Sequence, residues 1–534
     1  MKNLLFFIIL IFSLNSQAQE DAWLYFIDKE NVEASISNPL SILSQASVDR
    51  KNNRGITIDE RDVPVNEAYI SQIKNVVGIQ VLAKSKWLNA IHIRGEEADV
   101  NALLNNFSFI DRVDFANTSL NTAGKSTINM DKFDIEDSQV QFDYGDSQNQ
   151  IEMIGVDQLH LEDYTGQGMI IAVMDSGFPN VDTMAAFERL RINNGLLGGY
   201  DFVDRTDNIY AYSDGDHGTR VLSTMAGYIE NEFVGTAPDA SYYLFRTEDD
   251  ASEKIVEESY WVEAVERADS LGVDIINTSL GYKKYDNSSH THTKADLNGS
   301  STFITRGANI ANEKGILVVT SAGNSGADGV GAPADGIGVF SIGAVDVNGD
   351  YASFSSQGSV FQATLKPDVA AQGEGSVVVD DSNSVINNNG TSFSSPIMAG
   401  GLASLWQALP DATNEEIKQY VRASASQFNN SDFFLGFGIP NLDEALNLGL
   451  SVQADQFQKV KIFPNPVKSV LTIQMSTFEN ILEVRIIDLM GKKVMTSSLI
   501  QNETKLDISS LTSGIYILNI QSGASFNSYK LIKS

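Results

Sequence analysis

The chain contains no cysteine. Disulfides, zinc–thiolate centres and a cysteine nucleophile are therefore excluded, and cysteine pairing says nothing about the redox compartment. Basic side chains are few: 37 lysines and arginines stand against 69 acidic residues, for a formal net charge of −32. So acidic a chain is not built to neutralise phosphates, and a nucleic-acid partner is not expected. Histidine is scarce, with five in 534 residues, so few positions can supply a base that titrates near neutrality. After the first residues no apolar run reaches membrane-spanning length without charges, so no transmembrane segment is expected. What remains is an ordinary globular composition, 42% hydrophobic and 20% charged, over a length that allows roughly two to four domains.

The N-terminus carries Lys2, an apolar run from Leu4 to Leu14, and then Asn15-Ser16-Gln17-Ala18. A charged start, a short apolar stretch and a small-residue cleavage site make residues 1–18 a signal peptide. Residues 19–118 alternate strand and helix patterns in the order β-α-β-β-α-β, which predicts a ferredoxin-like layer. Residues 119–150 are polar and Asp-rich without apolar periodicity, and read as a linker open to proteolysis.

From 151 to 448 strands and helices alternate. Met169 to Met174 is a continuous apolar run, and Ile316 to Thr320 and Val339 to Val345 are further strands. Such runs are typical of parallel strands buried on both faces. The prediction is an α/β domain built on a parallel sheet, with its site at the carboxyl ends of the strands. Residues 449–458 read as a second linker. Residues 459–534 change to short β-rich runs broken by turn residues, which predicts a small antiparallel sandwich.

Candidate chemistry gathers at strand ends and helix starts. Asp175 follows the strand Ile170 to Met174; a carboxylate there is held rigidly, although a turn aspartate explains it equally well. His217 opens a helix within Asp216-His217-Gly218-Thr219, the only histidine in such a context. Asn324, in Ser321-Ala322-Gly323-Asn324-Ser325-Gly326, follows another strand and can donate to an oxyanion; the same stretch is also good Asx-turn chemistry. Ser392 lies in Gly390-Thr391-Ser392-Phe393-Ser394-Ser395-Pro396, where a loop becomes an apolar helix. The free N–H groups and positive dipole end of that first turn favour a developing oxyanion.

These motifs, in the order Asp, His, Ser, resemble the subtilisin-like serine peptidases. The resemblance covers about residues 151–448. It extends to Ser279-Leu280-Gly281, similar to the family's substrate-binding edge segment, and to Gly436-Phe437-Gly438-Ile439-Pro440-Asn441 at the domain's end. One departure is Phe393-Ser394, where the family more often has Met-Ala. Residues 19–118, with Ser85-Lys86-Trp87-Leu88-Asn89-Ala90, resemble the inhibitory, fold-assisting propeptide of secreted bacterial subtilases. The tail, with Phe463-Pro464-Asn465-Pro466 and Leu511-Thr512-Ser513-Gly514-Ile515-Tyr516, resembles a type IX secretion sorting domain.

The resemblance implies a secreted serine endopeptidase acting through an acyl-enzyme on proteins or peptides. Ser392 is the implied nucleophile, His217 its base and Asp175 the orienting carboxylate. Asn324 is the oxyanion donor, and Ser279, Leu280 and Gly281 bind substrate. It implies recognition of the tail by a secretion machinery, release or attachment at the outer cell surface, no cofactor for the chemistry, and room for structural Ca2+. No spacing like an EF-hand loop occurs, and no metal ligand is assigned. Two rivals are a peptidase with a carboxylate base, against which His217 and Asn324 argue, and a catalytically inactive surface-binding protein on the same scaffold.

Overall fold

A computed structural model describes residues 19–121, 142–458, 460–475, 482–488, 493–499, 503–522 and 525–534. The signal peptide expected over 1–18 and most of the linker expected over 119–150 lie outside the described residues.

The largest unit is built on seven parallel strands. Their order across the sheet is Val369–Gln372, Phe340–Val345, Leu317–Ser321, Ile275–Thr278, Ile170–Asp175, Ser241–Arg246 and Leu196–Asp201. Side-chain alternation divides the interior into two layers. Ile171 and Val173 face one core together with Leu317, Val319 and Ile342. Ala172 and Met174 face the other with Ile276 and Val318. The first layer holds the helices His217–Ala226 and Thr391–Ala408. The second holds the helices Val256–Leu271 and Phe303–Glu313. Thr391–Ala408 is buried along nearly its whole length, as expected of a helix that is apolar all round.

Residues 19–121 form the expected ferredoxin-like layer. Its antiparallel sheet runs Gln80–Ser85, Ala90–Glu96, Gln19–Phe26, Ile110–Phe115. Leu24, Ile91 and Ile93 pack under the helices Glu67–Lys74 and Glu97–Asn106 through Ile70, Ile73, Val100 and Leu103. The opposite face docks on the large domain. There Trp23 stacks on Phe303 with ring centroids 4.7 Å apart and donates from Nε1 to Ser259 at 2.9 Å.

Charge complements that docking. Glu266 accepts from Ser85 Oγ at 2.6 Å and from the Lys86 and Trp87 N–H groups at 2.7 and 3.0 Å. Asp269 takes Arg50 at 2.5 Å and Lys51 at 2.8 Å, both ends buried. Arg54 pairs with Asp274 at 2.6 Å, and Lys314 with Asp62 at 2.7 Å.

Two boundaries differ from the sequence expectation. The large domain begins before residue 151: Ser147 and Gln150 are buried. Gln150 donates to Val377 O at 3.0 Å and accepts from Val377 N at 2.8 Å. Polar side chains that satisfy an edge strand carry no apolar periodicity, so the stretch reads as linker. The linker expected at 449–458 is helical, continuing the helix Leu442–Gln458. The tail is β-rich as expected. It has a three-stranded and a four-stranded sheet, with Leu471, Ile473, Val484, Ile486 and Leu518 between them.

Candidate active site

Three of the sequence-nominated positions lie at the carboxyl ends of adjacent strands. Asp175 ends Ile170–Asp175, Ser279 follows Ile275–Thr278, and Asn324 lies three residues beyond Leu317–Ser321. The Asp175 side chain is fully buried. Its Oδ1 accepts from Ser176 N at 2.9 Å and is 2.7 Å from His217 Nδ1. That contact requires the proton on Nδ1, which leaves Nε2 as the basic nitrogen. Burial pulls the His217 imidazole down, but the Asp175 charge and hydrogen bond outweigh it, with Asp250 adding to them, and the net direction is up.

Gly218 makes this approach possible. A Cβ there would lie 2.3 Å from Gly177 O and 3.0 Å from the Asp175 Cβ. Any larger residue would push the helix that carries His217 off the strand end that carries Asp175.

Ser392 is the second residue of the helix Thr391–Ala408. The turn into that helix runs through Gly390 at φ 150° and ψ 148°, a backbone region essentially restricted to glycine. Phe393 brings its ring to within 5.9 Å of the His217 ring. Ser392 Oγ donates to Ser279 O at 3.3 Å rather than to His217. Ser279 Oγ donates back to Ser392 O at 2.8 Å, and Asn277 accepts from Ser395 Oγ at 2.8 Å. The helix start is thereby tied to the end of strand Ile275–Thr278. A serine hydroxyl parked on a carbonyl reaches a base by a change of χ1, and catalytic contacts in unliganded sites are often unmade.

Asn324 orients itself. Its Oδ1 accepts from Thr391 N and from Thr391 Oγ1, both at 2.9 Å. A backbone N–H can only donate, so the oxygen is assigned and Nδ2 is left to donate elsewhere. Ser279, Leu280, Gly281, Asn324 and Ser392 share the lining of one cleft of about 150 Å3. Hydroxyl and amide donor thus share one cleft, and the oriented imidazole is linked to them through the ring of Phe393, the residue after Ser392.

The other four histidines lie elsewhere. His92 bonds Ser259 and Asp21, and His160 lies between Tyr144 Oη and Thr236 O. His290 meets Asn287, and His292 pairs with the buried Glu258 at 2.5 Å. Asn277 was not nominated from sequence. Its signal is an amide side chain inside the buried strand Ile275–Thr278, where a polar group needs a partner. Asp250 carried no local signal. Among the described residues no group of three or more histidine, aspartate or glutamate side chains is placed to hold a metal ion, and no helix is long and apolar enough to cross a membrane.

Residues 166–438, just over half of the chain, match the Subtilase family. Residues 21–132 match the Peptidase S8 propeptide domain of Bacteroidota, and residues 461–534 the Secretion system C-terminal sorting domain. The chain is 29% identical over 300 residues to subtilisin DY of Bacillus licheniformis, covering 55% of this chain and 97% of that one. It is 30% identical over 319 residues to subtilisin E of Bacillus subtilis (strain 168), covering 58% and 74%.

Proposed function

Since the chain belongs to the subtilase family, we propose that Ser392, His217 and Asp175 are its catalytic triad and Asn324 its oxyanion donor. The protein is a serine-type endopeptidase, secreted or held at the cell surface, and carries a propeptide and a sorting domain. The observation that carries the assignment is the 2.7 Å Asp175–His217 contact, with the ring of Phe393, the residue after Ser392 at the head of a buried helix, 5.9 Å from the His217 ring.

In the reaction, Ser392 Oγ leaves Ser279 O and gives its proton to His217 Nε2 as it attacks the peptide carbonyl. Asp175 holds the imidazole and stabilises the imidazolium. Asn324 Nδ2 and the Ser392 N–H receive the oxyanion. The imidazolium then protonates the leaving amine, and water repeats the sequence on the acyl-enzyme. Ser279-Leu280-Gly281 pairs with extended substrate as an added strand, through main-chain bonds. These side chains supply the chemistry without a cofactor; bound calcium would serve structure.

A fluorophosphonate probe tests the reading against an inactive scaffold. Covalent labelling of the mature enzyme at Ser392 is expected. An unlabelled enzyme that is folded by thermal melt would return the chain to the surface-binding class.

Asn324 gives a second test. Asn324→Ala is expected to lower kcat by roughly 10²–10³ with KM nearly unchanged, the size known for the oxyanion asparagine of subtilisin and carried over by family membership. Asn324→Asp keeps the acceptor for Thr391 and replaces the donor with a second, negatively charged oxygen, so it should lose at least as much kcat with less loss of melting temperature. Wild-type kcat in both variants would reduce Asn324 to a turn residue.

A further inference from the structure

Strand Ile170–Asp175 lies between Ser241–Arg246 and Ile275–Thr278, with Asp175 opposite Arg246 and Met174 opposite Thr278. The middle strand ends at Asp175 and the chain bends at Ser176. Its neighbours lead into Thr247–Asp250 on one side and Ser279–Tyr282 on the other. The strands they leave are two strand spacings apart, about 10 Å, the width in which an extended peptide can sit between both.

The two segments that flank that slot hold polar atoms with nothing to bond. Tyr282 is 1% exposed and Thr247 is fully buried. Yet Tyr282 Oη, Thr247 Oγ1 and Glu248 Oε2 are buried without a hydrogen-bond partner. Native interiors rarely leave such atoms unpaired, and each one calls for an explanation. Acidic groups crowd the same place. The carboxylates acting on Tyr282 are Glu248 first, then Glu257, Glu253 and Glu258. Glu257 is almost fully buried and accepts the Lys254 N–H at 3.1 Å.

No cation among the described residues answers them. Lys254 Nζ turns to Ser252 Oγ and lies 3.7 Å from Asp249. Arg246 spends its guanidinium on Asp201, Asp204 and Ser176 O. Among the described residues, Glu248, Glu253 and Glu257 form no ion pair. Burial, followed by the charges of Glu253, Glu257, Asp175 and Asp250, pushes the Glu248 carboxyl well above the usual carboxylate range. Burial likewise pushes Glu253 up to about 7 and Glu257 up to about 8. A positive charge arriving here would meet three carboxyls that lack one.

We propose that Glu248, with Glu257 behind it and Tyr282 across the slot, forms a subsite for a lysine or arginine side chain of the substrate. Its ammonium or guanidinium donates to Glu248 Oε2 and Tyr282 Oη, while its methylene stem lies along the slot. This rests on the endopeptidase reading above, and it adds a side-chain preference to a main-chain clamp that has none.

The test uses enzyme recovered from expression of the full chain, its active-site concentration fixed by fluorophosphonate titration. Internally quenched peptides carry arginine, lysine, norleucine or glutamate at one varied position at a time, on either side of the scissile bond. At one position arginine or lysine is expected to raise kcat/KM about tenfold or more over norleucine, with glutamate the poorest. In Glu248→Gln the arginine-to-norleucine ratio should fall close to one. Equal rates for arginine and norleucine at every position in the wild type would overturn the subsite, with no variant needed. So would an unchanged ratio in a titratable Glu248→Gln enzyme. No cleavage of any peptide together with no labelling would overturn the endopeptidase reading, and the subsite with it.

Discussion

Ser392→Ala is expected to lower kcat on a short peptide by about 10⁶, the size known for the same replacement in subtilisin. It should also abolish fluorophosphonate labelling. The physical reason is that neither the oriented imidazole nor the oxyanion donors have anything to activate once the hydroxyl is gone. The fold should barely register the change. Ser392 Oγ makes one hydrogen bond, to Ser279 O at 3.3 Å, beyond the usual range for O–H donors. A second outcome concerns maturation. The propeptide is joined to the catalytic domain through a segment that includes residues 122–141, which lie outside the described residues. If that segment is cut by the enzyme itself, the purified variant should remain a full-length precursor. Normal processing of the variant alone would rule out self-cleavage, and a kcat within tenfold of wild type would remove Ser392 from the mechanism. Adding His217→Ala to Ser392→Ala should cost little more, because residues that act as a unit are not additive.

Asp175→Asn is expected to cost about 10⁴ in kcat, as aspartate replacements do in related triads. An asparagine fills the same volume and can present its NH2 to His217 Nδ1. The imidazole then accepts there and carries its proton on Nε2, the wrong tautomer for taking one from Ser392. The pH profile separates this from a loss of structure. His217 must be neutral to act as base, so kcat/KM falls as pH drops through its pKa. Burial pulls that value down, and Asp175 more than offsets it. Without the Asp175 charge the acid limb should therefore move to lower pH, while the plateau falls. A limb that stays in place or moves up, at any plateau, would count against Asp175 as the group that holds His217.

These positions were readable in the sequence because each depends on a local backbone device. Gly218 lets the His217 helix approach Asp175, and Gly390 carries the turn before Ser392. Glycines beside a polar residue at the edge of an apolar run survive as short motifs. The long apolar strands were readable for the same kind of reason, since burial on both faces leaves no alternation to interpret.

Other elements were hidden by long-range compensation. Leu196–Asp201 contains Gly198 and Gly199, which mimic a turn, and its approach to Ser241–Arg246 leaves a Cβ at Gly199 only 1.8 Å from Leu244 O. Ser241–Arg246 ends in a charge that is buried only because Asp201 and Asp204 pair with it and Tyr212 lies 3.7 Å over it. Val369–Gln372 is too short to show a pattern. In the tail, Lys493–Leu499 begins polar and is held by its ladder to Leu482–Asp488. The Glu258–His292 pair spans 34 residues, and no local spacing announces it. Glu248 and Glu257, nine residues apart, carry no local signal either, since Glu257 is an ordinary first-turn acidic residue of the helix Val256–Leu271 until its burial is known.

The contacts that seat the propeptide also set a clock. Arg50, Lys51 and Arg54 reach buried or nearly buried carboxylates of Asp269 and Asp274, and Glu266 holds the Ser85–Trp87 turn. Severing one peptide bond in the connecting segment disturbs none of them. Buried pairs are also poorly screened by salt. A single cut there is therefore expected to leave the two pieces associated. If release then needs a second cleavage by an enzyme molecule that is already free, activity should appear after a lag that shortens as the protein grows more concentrated. A lag that does not depend on concentration would rule that route out.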